Sequence, residues 1–333
     1  MRSLKRLLYF SLTIIVLLAG SGLWFALRPL PLAGQQTIDF SIPFGSSLRV
    51  TSRLMSDAGL GFEPWQFTLL ARMLRQSTAI KAGSYEVTQG VTPLQLLNKL
   101  TRGDVSQGEL QFIEGMNFRQ LREAINAHPD LKHETAAMSD AALLAHLGIA
   151  EKHPEGLFFP DSYLFDKDSS DTDVYKRAYR AMQTQLASLW AQRDIPLPLK
   201  TPYEALILAS IVEKETGKPE DRPLVAAVFL NRLRLGMLLQ TDPTVIYGLG
   251  QKYDGNIHKR DLLAPTPYNT YIRPGLPPTP IAMPGKAALL ATLHPANTDK
   301  LYFVARGDGS SEFSRSLDEH NRAVAKFQRG KSL

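Results

Sequence analysis

The segment ASIVEKETG, residues Ala209–Gly217, places a glutamate where an apolar side chain is expected. Good helix formers precede it and a glycine closes it, which predicts a helix from Glu204 to about Gly217. Glu215 continues the i, i+3, i+4, i+7 spacing of an apolar helix face, whereas Glu213 lies ~200° around the helix. The other members of that face are Leu208, Ile211 and Val212. Burial and the negative end of the helix dipole both raise a carboxyl pKa, so Glu215 is a candidate proton donor. The spacing fits equally a structural glutamate bonded to backbone or to an arginine.

Two polar segments follow a second predicted helix, which opens at Pro219 and stops at Gly236. They are LLQTDPTVIYGLG (238–250) and TPYNTYIRPGLPPTPIAMPG (266–285). The latter contains six prolines, too many for a helix or a strand. Together they offer amide, hydroxyl, carboxylate and aromatic groups, a set that suits a carbohydrate. The candidate substrate-binding residues are Gln240, Thr241, Asp242, Tyr268, Asn269 and Tyr271. Each of them fits equally a role in bonding loop backbone to itself.

Six ordered motifs extend this pattern: SIVEKET, VFLNRL, LQTDPTVIYG, PYNTY, GLPPTPI and HPANTDKLYFVA. They resemble the YceG-like endolytic murein lytic transglycosylases, and the resemblance covers nearly the whole chain. It implies a membrane-anchored enzyme with a LysM-like module before its catalytic domain. It also implies internal cleavage of MurNAc–GlcNAc bonds in peptidoglycan strands, with 1,6-anhydromuramic ends, and termination of nascent strand elongation. In this family the second glutamate of the EKE triplet is catalytic, here Glu215. Peptidoglycan synthases are the implied protein partners, and no cofactor or metal is implied.

Two other functions stay open at this point. A peptidoglycan glycoside hydrolase needs a second carboxylate, and Asp242, expected in a loop, is the nearby candidate. A non-catalytic, membrane-anchored wall-binding protein would leave a buried Glu215 unexplained. A metalloprotease is disfavoured because no HExxH is present, and a serine hydrolase because no GxSxG is present.

The composition is that of an ordinary globular protein, with 44% hydrophobic and 21% charged residues. The 333 residues carry a net charge of +6, which suits an anionic membrane or polymer. The basic residues are scattered and form no nucleic-acid-binding motif, so we expect no nucleic-acid partner. The chain has no cysteine, which excludes disulfides, thiolate catalysis and cysteine-type zinc sites.

The amino terminus carries a predicted membrane span. Residues 7–27 hold no charge over 21 positions, close to the ~20 needed to cross a bilayer as a helix. Arg2, Lys5 and Arg6 precede them, which predicts a cytoplasmic tail of residues 1–6 and a periplasmic remainder. The expected location is therefore the cell inner membrane, with a single pass. A signal peptide cleaved near Ala33 is the alternative.

The exported part is predicted to be α+β. Three stretches repeat a strand, a turn glycine (Gly45, Gly90, Gly115), an N-cap residue (Ser47, Thr92, Asn117) and a helix. We predict a LysM-like module at 36–105, a linking region at 106–200 and an α+β catalytic domain at 201–333. The aromatic-rich segment 155–165 is interpreted as core packing, and Asp173 to Arg193 as a long helix. A hairpin is expected between Leu301 and Ser314, followed by a helix from Ser316. His320 and Asn321 in this last helix are further substrate-contact candidates.

Overall fold

A computed structural model describes residues 2–32, 36–194 and 196–328, and leaves out the side chains of residues 2–8. The chain is a mixed α+β protein with two compact units. Unit 1 comprises Met1–Glu109, Asp130–Lys132 and Leu164–Ser169, and unit 2 comprises Leu110–Pro129, His133–Tyr163 and Ser170–Leu333. The division of the exported chain at 105 and 200 stays a prediction.

Unit 1 is built around a two-stranded sheet covered by short helices. Its first elements are α1 (Arg2–Leu27), β1 (Thr37–Ile42), α2 (Leu48–Asp57), α3 (Pro64–Met73), β2 (Gly83–Thr88) and α4 (Pro93–Arg102). The two strands are antiparallel, with Phe40 opposite Tyr85 and their rings stacked 5.8 Å apart. Alternate residues of each strand point into one core, because side chains of a strand alternate between faces.

The predicted strand–turn–cap–helix pattern is confirmed at all three places. The third place joins β3 (Gln107–Gln111) to α5 (Phe118–Ala127). The turn glycines have φ of 81°, 94° and 80°, the left-handed region that favours glycine: Gly45, Gly90 and Gly115. The predicted caps accept a hydrogen bond from the first helical turn: Ser47, Thr92 and Asn117.

The carboxyl end of α1 belongs to the core of unit 1. By length and composition alone, one helix among the described residues could cross a membrane, Tyr9–Leu27, with a mean hydropathy of 2.1. Phe25 in its last turn is 8% exposed and meets the Phe62 ring edge-on at 6.5 Å. Leu30 and Leu32 beyond the helix are buried in the same core. The candidate cleavage site near Ala33 lies outside the described residues.

The remaining elements follow β3 and α5 along the chain. They are β4 (Leu131–Lys132), α6 (Asp140–Leu147), β5 (Ser162–Asp166), β6 (Ser169–Ser170), α7 (Asp171–Ala191), α8 (Pro202–Glu215), α9 (Arg222–Arg234), α10 (Asp242–Leu249), α11 (Lys286–Leu293), β7 (Tyr302–Ala305), β8 (Ser311–Ser314) and α12 (Leu317–Phe327). In unit 2, α8 packs against α7, α9, α10 and α11, and α12 packs on the β7–β8 hairpin. The predicted hairpin and last helix are confirmed, and the segment 266–285 contains no helix or strand, as predicted.

Two predicted helix boundaries in unit 2 are wrong. α9 begins at Arg222 and not at Pro219, because Pro223 is the proline in its first turn. Asp221 precedes that turn, and its carboxylate accepts the N–H of Ser311. Asp242 is not in a loop but is the first residue of α10, where the helix dipole stabilises its negative charge.

Candidate active site

The apolar face that singled out Glu215 does not exist as a separate face in the structure. Every residue of α8 from Ala205 to Val212 is buried, so this part of the helix is surrounded by protein on all sides. A fully surrounded helix is typical of the core of a larger domain. Glu213 and Glu215 therefore differ in what their carboxylates contact at the end of the helix, and not in the polarity of their faces.

Glu213 holds the proline-rich segment. Its Oε2 accepts the backbone N–H of Gly285 at 2.9 Å, and its Oε1 lies 3.8 Å from the Arg222 guanidinium. One turn earlier on α8, the Ser210 hydroxyl accepts the N–H of Ile281 at 2.9 Å. Glu213 thus has the structural role, bonded to backbone and near an arginine, that the sequence left open for Glu215.

Glu215 lies at the wall of a cleft of about 490 Å³ in unit 2. The hydroxyl of Thr241 donates a hydrogen bond to its Oε1. Burial, together with the nearby negative charge of Asp242, raises the pKa of Glu215 to about 7. The Thr241 hydrogen bond and the Arg232 charge act in the opposite direction. A carboxylic acid with this pKa is partly protonated at neutral pH and can donate a proton.

The chain before α10 is bent so that Thr241 reaches Glu215. Gln240 has a φ of 49°, an uncommon value for a residue other than glycine. The N–H of Gln240 donates to the Thr270 carbonyl, and the N–H of Thr241 donates to the Thr270 hydroxyl, both at 3.1 Å. These bonds fix the strained residue, and the Gln240 side chain lines the cleft.

Asp242 and Tyr271 face the same cleft as a hydrogen-bonded pair. The Tyr271 hydroxyl donates to Oδ1 of Asp242 at 2.6 Å. Burial and this contact with a carboxylate raise the pKa of Tyr271, so its hydroxyl stays protonated. Both sequence candidates are therefore in position to contact a ligand beside Glu215.

The β7–β8 hairpin and α12 supply another wall of the cleft. The His320 ring stacks on Tyr302 with centroids 5.3 Å apart and an interplanar angle of 25°. Burial and the Arg232 charge both lower the pKa of His320, which favours the neutral imidazole. The structure thus brings His320 to the cleft. Asn321, the next candidate, is exposed and does not line it.

Tyr268 and Asn269 do not line the cleft, and the structure gives their side chains partners within the loop. Asn269 is fully buried, and its side-chain nitrogen donates to the carbonyls of Leu262 and Ala264 at 3.0 and 2.8 Å. The Tyr268 hydroxyl is 2.9 Å from that of Thr279. The polar groups of both side chains form hydrogen bonds within the loop, which is the alternative role that the sequence left open.

Arg232 on α9 was not predicted from the sequence as a site residue; it is 7% exposed and lines the cleft. It lies inside the VFLNRL motif, but an arginine in the last turn of a helix has an ordinary explanation in the helix dipole. The sequence feature that could have identified Arg232 is its position one turn after Val228, where a charged side chain interrupts an apolar run.

A second carboxyl group with a raised pKa was also missed. Glu155 is 5% exposed, and burial raises its pKa to about 7. Its Oε1 accepts the N–H of Phe118 at the start of α5 at 3.0 Å. Its Oε2 accepts the Tyr247 hydroxyl of α10 at 2.9 Å. Glu155 does not line the cleft and joins two helices of unit 2.

Glu155→Gln is expected to reduce the fall in stability between pH 5 and 8. A carboxyl group whose pKa is raised on folding contributes stability below its unfolded pKa, and this is lost as pH rises through about 7. The contribution is on the order of 3 kcal/mol. Glutamine does not ionise; its oxygen can accept the N–H of Phe118, and its amide nitrogen can donate to the Tyr247 hydroxyl oxygen. Melting temperatures measured across this range should therefore fall less in the variant. Glu151→Gln is the control and should keep the wild-type slope; a wild-type slope in Glu155→Gln would refute the role.

The architecture and the site together have a match among known proteins. The model of the YceG-like family matches residues 40–326, which is most of the chain. This chain is a member of the YceG-like family. The segments that form the cleft all fall inside the matched range except Gln328, including the ends of α8, α9 and the hairpin.

Relatives of this YceG-like chain have named functions. A Bacillus subtilis protein named endolytic murein transglycosylase is 30% identical over 319 residues, 90% of this chain and 88% of the relative. A Streptococcus pneumoniae protein of the same name is 27% identical over 340 residues, 92% of this chain. This YceG-like chain spans 61% of the length of the pneumococcal protein.

A crystal structure of a YceG-like protein from Listeria monocytogenes has the same fold. It is 30% identical, and the match covers 87% of this chain and 99% of that one with a TM-score of 0.56. The fold of this chain is therefore a YceG-like fold.

Proposed function

We propose that this YceG-like protein is an endolytic murein transglycosylase that cuts glycosidic bonds within peptidoglycan strands. The observation that carries the proposal is Glu215, a partly buried acid with a pKa raised to about 7, at the wall of an open polar cleft. The names of the bacillar and pneumococcal relatives support the substrate class. The expected cut is between MurNAc and GlcNAc, and its proposed consequence is termination of nascent strands.

Glu215 carries both proton transfers of the proposed reaction. Its protonated carboxyl donates to the glycosidic oxygen while the bond from that oxygen to the anomeric carbon breaks, which frees the GlcNAc hydroxyl. The C6 hydroxyl of the muramic residue then bonds to the anomeric carbon, and its proton passes to the Glu215 carboxylate. The product is a 1,6-anhydromuramic end, and Glu215 is restored. The tethered C6 hydroxyl has the advantage of proximity over water.

The other groups of the cleft are proposed to bind the glycan. Gln240, Asp242 and Tyr271 offer hydrogen-bonding groups, and the Tyr302–His320 stack offers an aromatic face to a sugar ring. Thr241 is proposed to orient the Glu215 carboxyl. Asn321, exposed next to His320, stays a candidate for a more distant part of the strand.

A glycoside hydrolase is the second candidate, because Asp242 lines the same cleft as Glu215. In water enriched in heavy oxygen, the transglycosylase is expected to give 1,6-anhydromuramic ends without label, since water is not the nucleophile. Mass spectrometry of products from purified glycan strands reads this directly. Labelled reducing ends as the main product would overturn the proposal and favour the hydrolase.

Asp242→Asn separates the two reactions further. A hydrolase that uses Asp242 to activate water should lose nearly all activity. The transglycosylase should lose what Asp242 contributes to binding and to its bond with Tyr271. A non-catalytic wall-binding protein would release no product with either Asp or Asn at this position.

The amino terminus is proposed to remain attached as a membrane anchor, with residues 1–6 in the cytoplasm and the chain after residue 27 in the periplasm. The positive charges before the span support this orientation. Cleavage near Ala33 would also remove Phe25, Leu30 and Leu32 from the core of unit 1. N-terminal sequencing of the membrane-extracted protein is expected to read from the start of the chain. A mature chain beginning near Gly34 would refute the anchor.

Unit 1 is proposed to contain the LysM-like module at residues 36–105. Its small α+β core, formed by β1, β2 and the helices between and after them, supports this assignment. Peptidoglycan synthases, whose nascent strands the enzyme would cut, are the proposed protein partners, and the inner membrane is the proposed surface.

A further inference from the structure

The guanidinium of Arg232 is held rigidly by backbone carbonyls. Its Nε donates to the carbonyl of Leu301 at 2.7 Å, and its Nη1 donates to Leu239 at 2.8 Å and to Leu238 at 3.3 Å. The planar fork of an arginine loses its freedom when several of its N–H groups are bound. The charge therefore stays at one place on the wall of the cleft.

None of these partners neutralises the charge. Carbonyl oxygens carry no net charge, and among the described residues no carboxylate lies within 4 Å of the Arg232 guanidinium. The group lies over the Tyr302 ring at 5.2 Å from its centroid, and the same ring stacks on His320. A buried cation without an ion-pair partner attracts a negative charge that forms near it more strongly than an exposed cation does, because less water screens the two charges.

The reaction proposed above forms such a charge. When Glu215 gives its proton to the glycosidic oxygen, a carboxylate appears in the cleft that Arg232 also lines. We propose that Arg232 is a positioning residue whose fixed positive charge stabilises the Glu215 carboxylate after proton transfer. The inference rests on the proposed function only in taking Glu215 as the proton donor.

The charge of Asp242 acts on the ionisation of Glu215 in the direction opposite to the charge of Arg232. Asp242 is the nearby carboxylate of the cleft, and its charge disfavours ionisation of Glu215, whereas the Arg232 charge favours it. The other titratable groups that face the cleft are Tyr271, Tyr302 and His320. Burial raises the pKa of Tyr271 and lowers that of His320, which leaves both neutral near pH 7. Burial has the largest effect on the pKa of Glu215, and the charges of Asp242 and Arg232 shift that pKa in opposite directions.

The pH dependence of kcat/KM tests this role. Glu215 must be protonated to start the reaction, so kcat/KM of the full-length protein should fall about tenfold per pH unit above about 7. Arg232→Gln and Arg232→Met remove the charge, which makes the carboxylate less favourable. The alkaline limb of the pH profile, the part where kcat/KM falls as pH rises, is expected to lie about one pH unit higher in these variants. Two neutral variants are used because the carbonyl bonds of Arg232 also support the fold, and circular dichroism identifies the folded ones.

Two further variants make the readout specific to charge. Arg232→Lys keeps the charge and loses the fork, so its limb should lie closer to that of the wild type than the limb of either neutral variant. Asp242→Asn should move the limb to lower pH, opposite to Arg232→Gln. An unmoved limb in a folded neutral variant, or shifts in the same direction for Asp242→Asn and Arg232→Gln, would overturn the proposal.

Product analysis of the wild type separates this inference from the proposed function. Labelled reducing ends would refute the proposed transglycosylase activity. The proposed role of Arg232 could still be tested, since a hydrolase also needs Glu215 as its acid. Full activity of Glu215→Gln would remove both.

Discussion

Glu215→Gln is expected to lower turnover by ~10²–10⁴-fold, the loss that follows removal of a general acid and base. Glutamine has nearly the same shape and still accepts the hydrogen bond of the Thr241 hydroxyl, so the cleft and its affinity for glycan should persist. It cannot donate the proton that the glycosidic oxygen requires. The measurement is the rate of soluble product release from purified peptidoglycan at pH 7, with binding to the same strands measured by sedimentation.

Glu213→Gln is the matched control, two residues earlier on the same helix. Its amide oxygen can still accept the N–H of Gly285, and only the attraction to Arg222 is lost. Turnover should therefore fall far less than in Glu215→Gln. An inactive Glu213→Gln together with an active Glu215→Gln would exchange the roles assigned to the two glutamates.

Phe158→Ala is expected to lower the free energy of unfolding by ~3–5 kcal/mol, as for other fully buried aromatic side chains. The Phe158 ring has no exposure and stacks on Phe118 at 5.6 Å. It also meets the Tyr175 ring edge-on at 5.5 Å, so it joins α5 to α7 inside unit 2. Urea denaturation followed by circular dichroism measures the change as a lower midpoint.

The neighbouring Phe159 provides the comparison. It is only half-buried, so Phe159→Ala removes less apolar surface from the interior and should cost clearly less stability. Equal losses for the two variants would mean that the Phe158 ring cluster is not central to the core.

The local features of the fold could be predicted from the sequence because they depend on neighbouring residues. A turn glycine and a polar cap two residues later determine where α2, α4 and α5 begin. The proline content of the segment 266–285 likewise excluded helix and strand there. The start of α9 was missed because two prolines, Pro219 and Pro223, fit a first helical turn, and the contacts of Asp221 decide between them.

The candidate site was predictable in part. Glu215 and Asp242 were found because a carboxylate in an apolar or rigid context is unusual in sequence. Arg232 and Glu155 were missed because their partners are far along the chain: Arg232 binds the carbonyl of Leu301, and Glu155 binds Tyr247. Asn269 shows the reverse case. It was predicted to contact substrate because it is a polar loop residue, but its side-chain amide donates hydrogen bonds to backbone carbonyls of the loop.

The burial of Phe25 in unit 1 has a mechanical consequence for the proposed anchor. A flexible linker of 20 residues would let a domain wander about 25 Å from its attachment point. Here the last turn of the apolar helix and the residues just after it, Leu30 and Leu32, are already part of a folded core. The proposed membrane helix would therefore be joined to unit 1 without a flexible linker. The folded core of unit 1 would be held at the bilayer surface and would rotate together with the helix. The anchor would then restrict the distance and orientation of this core relative to the membrane, in addition to keeping the protein at the membrane.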